Sequence, residues 1–274
     1  MLNIPKNPAE KSFADGKILQ SISDGIGIVT FNNPGKRNAM SLDMWEGLGQ
    51  SLIELRDDPD VRVVILTGAG DKAFVSGADI SQFEKTRHNA EASEEYSKRS
   101  AAQRALLADY PKPTIACIRG FCLGGGMQVA MLADIRFAAE NSQFGIPAAK
   151  LGIAYGYDGL RNLVSLVGPS WARLIMYTGM RIDSAEAQRI GLVDRVLPDA
   201  EVWDATLQTA RSISGNAPLA IKAAKITIAQ VLKDPSARDF EAIKNIGTAC
   251  MDSEDFREGR RAFMEKRKPV FRGK

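Results

Sequence analysis

Histidine is nearly absent from this chain. His88 is the only one, and it sits in a polar, charged stretch that reads as solvated surface, with a lid over a pocket as the other reading. Cysteine is scarce too: Cys117, Cys122 and Cys250 form no C-x-x-C pair and no even framework. Disulfides and a metal site are therefore disfavoured, and buried free thiols in a reducing compartment fit the pattern. No histidine lies near Cys122 in sequence, so small packing is the role expected of it. Long apolar runs are missing as well; residues 63 to 66 and 129 to 132 are typical, far short of the ~20 residues a membrane helix requires. No basic segment followed by an apolar stretch opens the chain, so a cytoplasmic protein with no membrane partner is expected. Neither sign of charge is in clear excess, with 36 basic against 33 acidic residues, and a nucleic-acid partner is disfavoured on that ground.

What the chain does have is apolar content. At 45% hydrophobic over 274 residues, it can bury a large core as one domain with an appendage or as two. After a polar arm of about 16 residues, Ile18 to Ser23 and Ile26 to Phe31 flank Asp24-Gly25, a favoured turn dipeptide, and predict a β-hairpin. Ser41 is a good N-cap for a helix whose Leu42, Trp45, Leu48, Leu52 and Leu55 share one face. Residues 61 to 66 and 112 to 118 read as buried strands, 73 to 75 as a short one, and 101 to 109 as helix. Residues 84 to 100 read as exposed helix or mobile loop. Beyond a boundary near residue 197, three helical patterns start at Ala200, Asn216 and Asp239. Ile221, Ala224, Ile228 and Val231 make one apolar stripe in the second. The last 18 residues hold eight basic side chains against Glu258 and Glu265, which is either a solvated helix face or a patch for a phosphorylated ligand.

The stretch Gly124-Gly125-Gly126-Met127-Gln128 lies between a predicted strand and a short apolar helix over 127 to 134. Glycines there let backbone approach a ligand closely, and a helix start leaves N–H groups that favour negative charge. The regions around 61 to 82 and 114 to 134 share one plan of strand, turn, short strand, small-residue loop and helix. This weak internal repeat would bring two backbone N–H donors near one point.

Five stretches then carry a resemblance. They are Asn33-Pro34-Gly35-Lys36-Arg37-Asn38-Ala39, Phe74-Val75-Ser76-Gly77-Ala78-Asp79-Ile80, Gly120 through Gly126, Gly191-Leu192-Val193, and Ala262 through Pro269. In order and spacing the chain resembles the crotonase superfamily, the enoyl-CoA hydratases and isomerases. The resemblance implies an α/β fold: a ββα spiral core with the acyl-CoA site over 1–197, then a helical oligomerisation region over 198–274, assembled as a trimer or a dimer of trimers. It implies an acyl-CoA thioester as substrate and no cofactor. It further implies that Ala78 and Gly125 donate backbone N–H bonds to the thioester oxygen. Lys36, Arg37, Ala39, Ser76, Asp79 and Ile80 would lie along the CoA site, with Phe256 and Lys266 of the tail closing over it.

The chain also departs from that pattern. The positions matching the two glutamates of family hydratases hold Gln128 and Ala148, and an amide cannot take a proton from water in the useful pH range. Ordinary two-glutamate hydration is therefore disfavoured, leaving decarboxylase-like or other lyase or isomerase chemistry, with a non-catalytic acyl-CoA binder or a hydratase with an altered acid/base arrangement as alternatives. Tyr155 resembles the tyrosine of methylmalonyl-CoA decarboxylases and is either catalytic or a wall of the acyl pocket. Asp158 is either catalytic or the N-cap of a helix starting at Gly159. Gln128 would position substrate or water. Asp79, which precedes Ile80-Ser81-Gln82, reads as the cap of the next helix rather than a base.

Overall fold

Asp24 and Gly25 take φ of 52° and 75°, the left-handed pair that a two-residue hairpin turn requires. They join β2 (Ile18–Ser23) to β3 (Ile26–Phe31), paired antiparallel from Ile18 opposite Phe31 to Ser23 opposite Ile26. The hairpin falls where the sequence predicts it. A computed structural model of the chain describes residues 10–79 and 89–274.

Next in order come α1 (Leu42–Asp57), β4 (Val63–Gly68), β5 (Ala73–Val75), α2 (Ala90–Ala108), β6 (Thr114–Ile118), β7 (Phe121–Leu123), α3 (Gly125–Leu132), β8 (Ile135–Ala139) and β9 (Gln143–Gly145). With β1 (Lys11–Phe13) and β11 (Arg195–Leu197), a seven-stranded sheet runs β1-β2-β3-β4-β6-β8-β11. With β10 (Arg181–Asp183), a second sheet runs β10-β9-β7-β5. The weak repeat seen in the sequence is thus a winding rule. Each pass, β4 then β5, β6 then β7, β8 then β9, adds one parallel strand to each sheet.

The large sheet is covered on both faces. Val29, Val64, Leu66, Ala116 and Ile118 pack with Leu48, Leu52 and Leu55 of α1 on one side. Ile28, Val63, Ile65, Ile115 and Cys117 pack on the other side, with Val202, Trp203 and Ala210 of α6 (Val202–Ser214). Strands buried on both faces read as continuous apolar runs rather than as alternation, so the sequence pattern does not mark their ends. The strand expected over 61 to 66 is Val63–Gly68: Arg62 N–H turns away to Gly25 O at 2.8 Å, while the parallel ladder with β3 continues to Gly68 opposite Phe31.

The tail continues with α7 (Pro218–Val231), α8 (Phe240–Asp252) and α9 (Glu254–Met264), following α4 (Tyr157–Thr178) and α5 (Ser184–Arg189) of the core. The 198–274 segment thus opens with a helix, α6, whose apolar face completes the sheet packing. The next two differ: α7 and α8 have no buried residue, and Ile228, Val231, Phe240 and Met251 are each at least 60% exposed. Lys225 of α7 anchors the tail to the core through Asp134 at 2.7 Å.

Candidate active site

The site is built on two loops laced together. Pro34 opens a short 3-10 turn, a position suited to its fixed φ. Arg37 and Asn38 then both adopt left-handed φ, 51° and 56°. Asn38 is fully buried, accepting from Asn33 N at 2.9 Å and donating to Ala69 O at 3.0 Å and Ala73 O at 2.7 Å. Ser76 N donates to Arg37 O, Met40 N to Gly77 O and Asp79 N to Met40 O, at 2.8 to 3.1 Å. These bonds run Lys36, Arg37 and Ala39 alongside Ser76, Ala78 and Asp79.

Lys36 Nζ pairs with Asp79 Oδ2 at 2.9 Å, and the Asp79 carboxylate is only 7% exposed. A carboxylate held by a lysine is a structural ion pair, not a base waiting for a proton. The helix that Asp79 was expected to cap, with Ser81 and Gln82, lies outside the described residues, as do Ile80 and His88. The Arg37 guanidinium lies 5.4 Å from the Phe121 ring centroid, and Ala39 is buried.

The third component is the glycine run. Gly124 has φ 50° and ψ −109°, reached without a side-chain clash only by glycine. A Cβ on Gly126 would stand 2.1 Å from Val75 O, so that position must be bare for α3 to lie against β5. A Cβ on Gly125 would stand 3.9 Å from Ala78 N, so these two backbones are neighbours. α3 starts two residues earlier than the expected 127, because close packing rather than helix propensity sets its first turn. Among the described residues no backbone acceptor meets the N–H of Ala78 or of Gly125.

Both residues line a cavity of about 330 Å³, together with Trp45, Ser76, Gln128, Ala148 and Tyr155. No carboxylate is present among the described lining residues, and Arg104 is the only charged one among them. The Tyr155 hydroxyl donates to Gly124 O at 3.3 Å. A Cβ on Gly159 would meet Tyr155 Cε1 at 2.8 Å and Gln128 Nε2 at 3.3 Å, so that bare position lets the phenol and the amide share one corner. Burial pushes the Tyr155 phenol well above its ordinary pKa, while the Arg104 charge and a Gln128 hydrogen bond pull it weakly the other way. The phenol is therefore a proton donor at neutral pH.

The expected N-cap role of Asp158 is corrected. The helix begins at Tyr157 with Gly156 as N-cap, and Asp158 sits in its first turn, where a negative charge suits the helix dipole. Its carboxylate is 85% exposed and lies 3.9 Å from Arg161. It faces an adjoining cavity of about 420 Å³ and is not among the residues lining the Ala78 cavity; Gln128, Gly156 and Arg104 border both. Phe256 lines a different cavity, of about 450 Å³, with Leu219 and Phe271, and Lys266 lines neither it nor the Ala78 cavity. Within one chain these two are not brought to the other predicted site residues.

Three contributors escaped sequence reasoning. In sequence Trp45 reads as part of a helix face, Asn38 as part of a loop and Arg104 as one more polar residue of a helix, and none of the three is marked as belonging to the pocket. An asparagine three residues after the Pro34-Gly35 turn pair is the available signal for Asn38; nothing in the local pattern orients Arg104.

The family model for enoyl-CoA hydratase/isomerase matches residues 21–274. The chain belongs to the enoyl-CoA hydratase/isomerase family. Among its family relatives, a short-chain-enoyl-CoA hydratase from Clostridium acetobutylicum is 37% identical, covering 89% of this chain and 92% of its own. A crotonyl-CoA hydratase from Syntrophomonas wolfei is 34% identical over 93% and 97%. The crystal structure of an enoyl-CoA hydratase/carnithine racemase from Magnetospirillum magneticum superposes with a TM-score of 0.90 at 37% identity, covering 94% of this chain and 96% of that one. Membership places the chain in the crotonase superfamily. Among the described residues no helix is long and apolar enough to cross a membrane.

Proposed function

We propose that this family member is an enzyme that acts on an acyl-CoA thioester by forming its enolate, with the N–H groups of Ala78 and Gly125 as the oxyanion hole. The observation that carries the reading is the placement of both donors on one cavity. Deprotonation, addition and decarboxylation beside a thioester all build negative charge on its oxygen. Two preorganised donors stabilise that charge by roughly 3 to 4 kcal/mol each. Such chemistry calls for no cofactor beyond the CoA carried by the substrate.

Gln128 and Ala148, at the positions matched to the hydratase glutamates, both line the cavity. Neither moves a proton as a carboxylate does, which speaks against two-glutamate hydration and for decarboxylase-like chemistry. In that reaction the bond from the α-carbon to the carboxylate breaks, its electron pair enters the enolate, CO₂ leaves, and the α-carbon takes up a proton supplied by water. In this reading Tyr155, protonated and hydrogen-bonded to Gly124 O, orients the leaving group. Lys36 and Arg37 are the cations for the CoA phosphates. The exposed apolar residues of α7 and α8 support self-association as a trimer or dimer of trimers, a setting in which Phe256 and Lys266 of another copy could complete a site.

The names of the relatives favour a second reading, hydration by an altered acid/base arrangement. The two separate on a panel of acyl- and malonyl-type CoA thioesters. Consumption of a malonyl-type thioester, lost in Gly125→Pro while the thermal melt is retained, is the expected result. Crotonyl-CoA turnover at a typical enzyme rate of ~10 per second would establish hydration instead, and binding without turnover across the panel would make the chain a non-catalytic binder.

A further inference from the structure

The Ala78 cavity and the adjoining cavity of about 420 Å³ share a boundary made by Gln128, Arg104 and Gly156. Of these three, only Gly156 puts no side chain into it. Nothing in the local fold calls for glycine there. Its φ of −71° and ψ of 163° are extended backbone that any residue adopts, and a Cβ at that position would meet no atom within 4 Å. As N-cap of α4 it offers no side-chain hydrogen bond, where serine or aspartate would cap better. Gly159 differs, because a Cβ there runs into Tyr155 at 2.8 Å. The bare position at Gly156 is therefore a gap in the boundary between two cavities, not a packing requirement.

The adjoining cavity offers apolar surface beyond that gap. Ala101, Ala105 and Ala108 of α2 line it together with Met131 and Leu132 of α3, and the short alanine side chains keep it wide. Asp158 and Asn162 of α4 supply its polar part. Burying hydrocarbon against such a wall is favourable by up to ~0.8 kcal/mol per methylene.

We infer that Gly156 is the passage by which the acyl chain leaves the Ala78 cavity, so that the substrate class is CoA thioesters whose acyl group runs beyond about four carbons into the adjoining cavity. This rests on the acyl-CoA reading above and narrows it. It holds equally for the tail of an acyl group and for an alkyl substituent on the α-carbon of a malonyl-type thioester. The thioester oxygen lies at Ala78 and Gly125, the chain crosses at Gly156, and its far methylenes lie against the alanines of α2.

Two saturated, unreactive thioesters test it, butyryl-CoA and octanoyl-CoA, with dissociation constants read by calorimetry on the full chain. The native protein is expected to prefer octanoyl-CoA by about tenfold or more, the effect of four added methylenes at partial burial. In Gly156→Leu, whose side chain fills the gap without backbone strain, that ratio falls to within about threefold of unity, and Gly156→Ala retains most of it. Equal binding of both thioesters by the native protein overturns the inference while leaving the acyl-CoA reading intact, and that comparison needs no variant to fold. An undiminished preference in folded Gly156→Leu overturns it as well, and so does an equal loss of both thioesters in that variant. Should Gly156→Leu not fold, Ala101→Phe, which narrows the adjoining cavity from α2, decides by the same ratio. Failure of the native protein to bind either thioester overturns both readings together.

Discussion

The side-chain amide of Asn38 donates to the carbonyl oxygen of Ala73 at 2.7 Å, fastening the loop of Lys36 and Arg37 to the strand that leads to Ala78. The same amide holds Ala69 O, and its oxygen holds Asn33 N. Asn38→Ala removes all three bonds at a buried site and puts alanine at a φ of 56°. The expected loss of stability is about 3 kcal/mol, read as a lowered urea midpoint. Acyl-CoA affinity should fall with it, because both site loops shift.

Adjacent glycines should behave oppositely. In Gly126→Ala the new methyl meets Val75 O at 2.1 Å, backbone that cannot yield cheaply, so a loss of about 2 to 4 kcal/mol is expected. In Gly125→Ala it makes contacts of 3.7 to 3.9 Å, within ordinary packing, but stands in the cavity beside Ala78 N. That variant should melt within a few degrees of the parent and turn over at least about tenfold more slowly. Normal turnover in Gly125→Ala would argue against the oxyanion assignment.

Introducing carboxylates tests the account proposed for Gln128 and Ala148. The Gln128→Glu, Ala148→Glu double variant should hydrate crotonyl-CoA about 100-fold faster than the native chain, and neither single variant should, because hydration requires an acid and a base together. Loss of absorbance at the conjugated thioester band reports it.

Tyr110 has a buried hydroxyl without a hydrogen-bond partner among the described residues. Tyr110→Phe should therefore raise stability, by about 1 kcal/mol. Burial raises the phenol pKa in the folded state, so the folded chain retains a proton that the unfolded chain releases above about pH 10. Stability from this group is flat below that pH and declines above it, and the advantage of phenylalanine should widen only there in urea titrations.

Burial pushes the Cys117 thiol up to about 11 and raises Cys122 as well. At pH 8 both should resist iodoacetamide in the native chain, while half-buried Cys250 labels first by mass spectrometry. Unfolding should expose all three. Because the Cys117 pKa is raised on folding, its contribution to stability is complete below about pH 8.5 and declines as pH rises toward 11.

Local chemistry alone placed several elements. The Asp24-Gly25 hairpin and the Ser41 cap, whose Oγ accepts from Met44 N, lie where the sequence put them, since turn and cap preferences act over a few residues. Residue spacing also brought the Gly77-Ala78 and Gly124-Gly125 loops together as a pair, because both occupy the same place in a repeated unit. Other assignments depend on residues far apart in the chain. Asp158 resembles a cap or a catalytic acid in sequence, and only the helix start at Tyr157 turns it to solvent. Asp79 could be a base until Lys36, 43 residues away, is found against it.

By itself, then, the sequence determined the class of fold, the two glycine loops and the non-ionisable side chains at Gln128 and Ala148, because each is a matter of residue type and short-range geometry. Only the tertiary structure decided which charge faces the cavity. Arg104 lies in a helix whose sequence carries no clear apolar stripe, and its direction is set by packing of α2 against α1 and α3. Side-chain direction on such a helix is a property of its neighbours, and those neighbours come from distant parts of the chain.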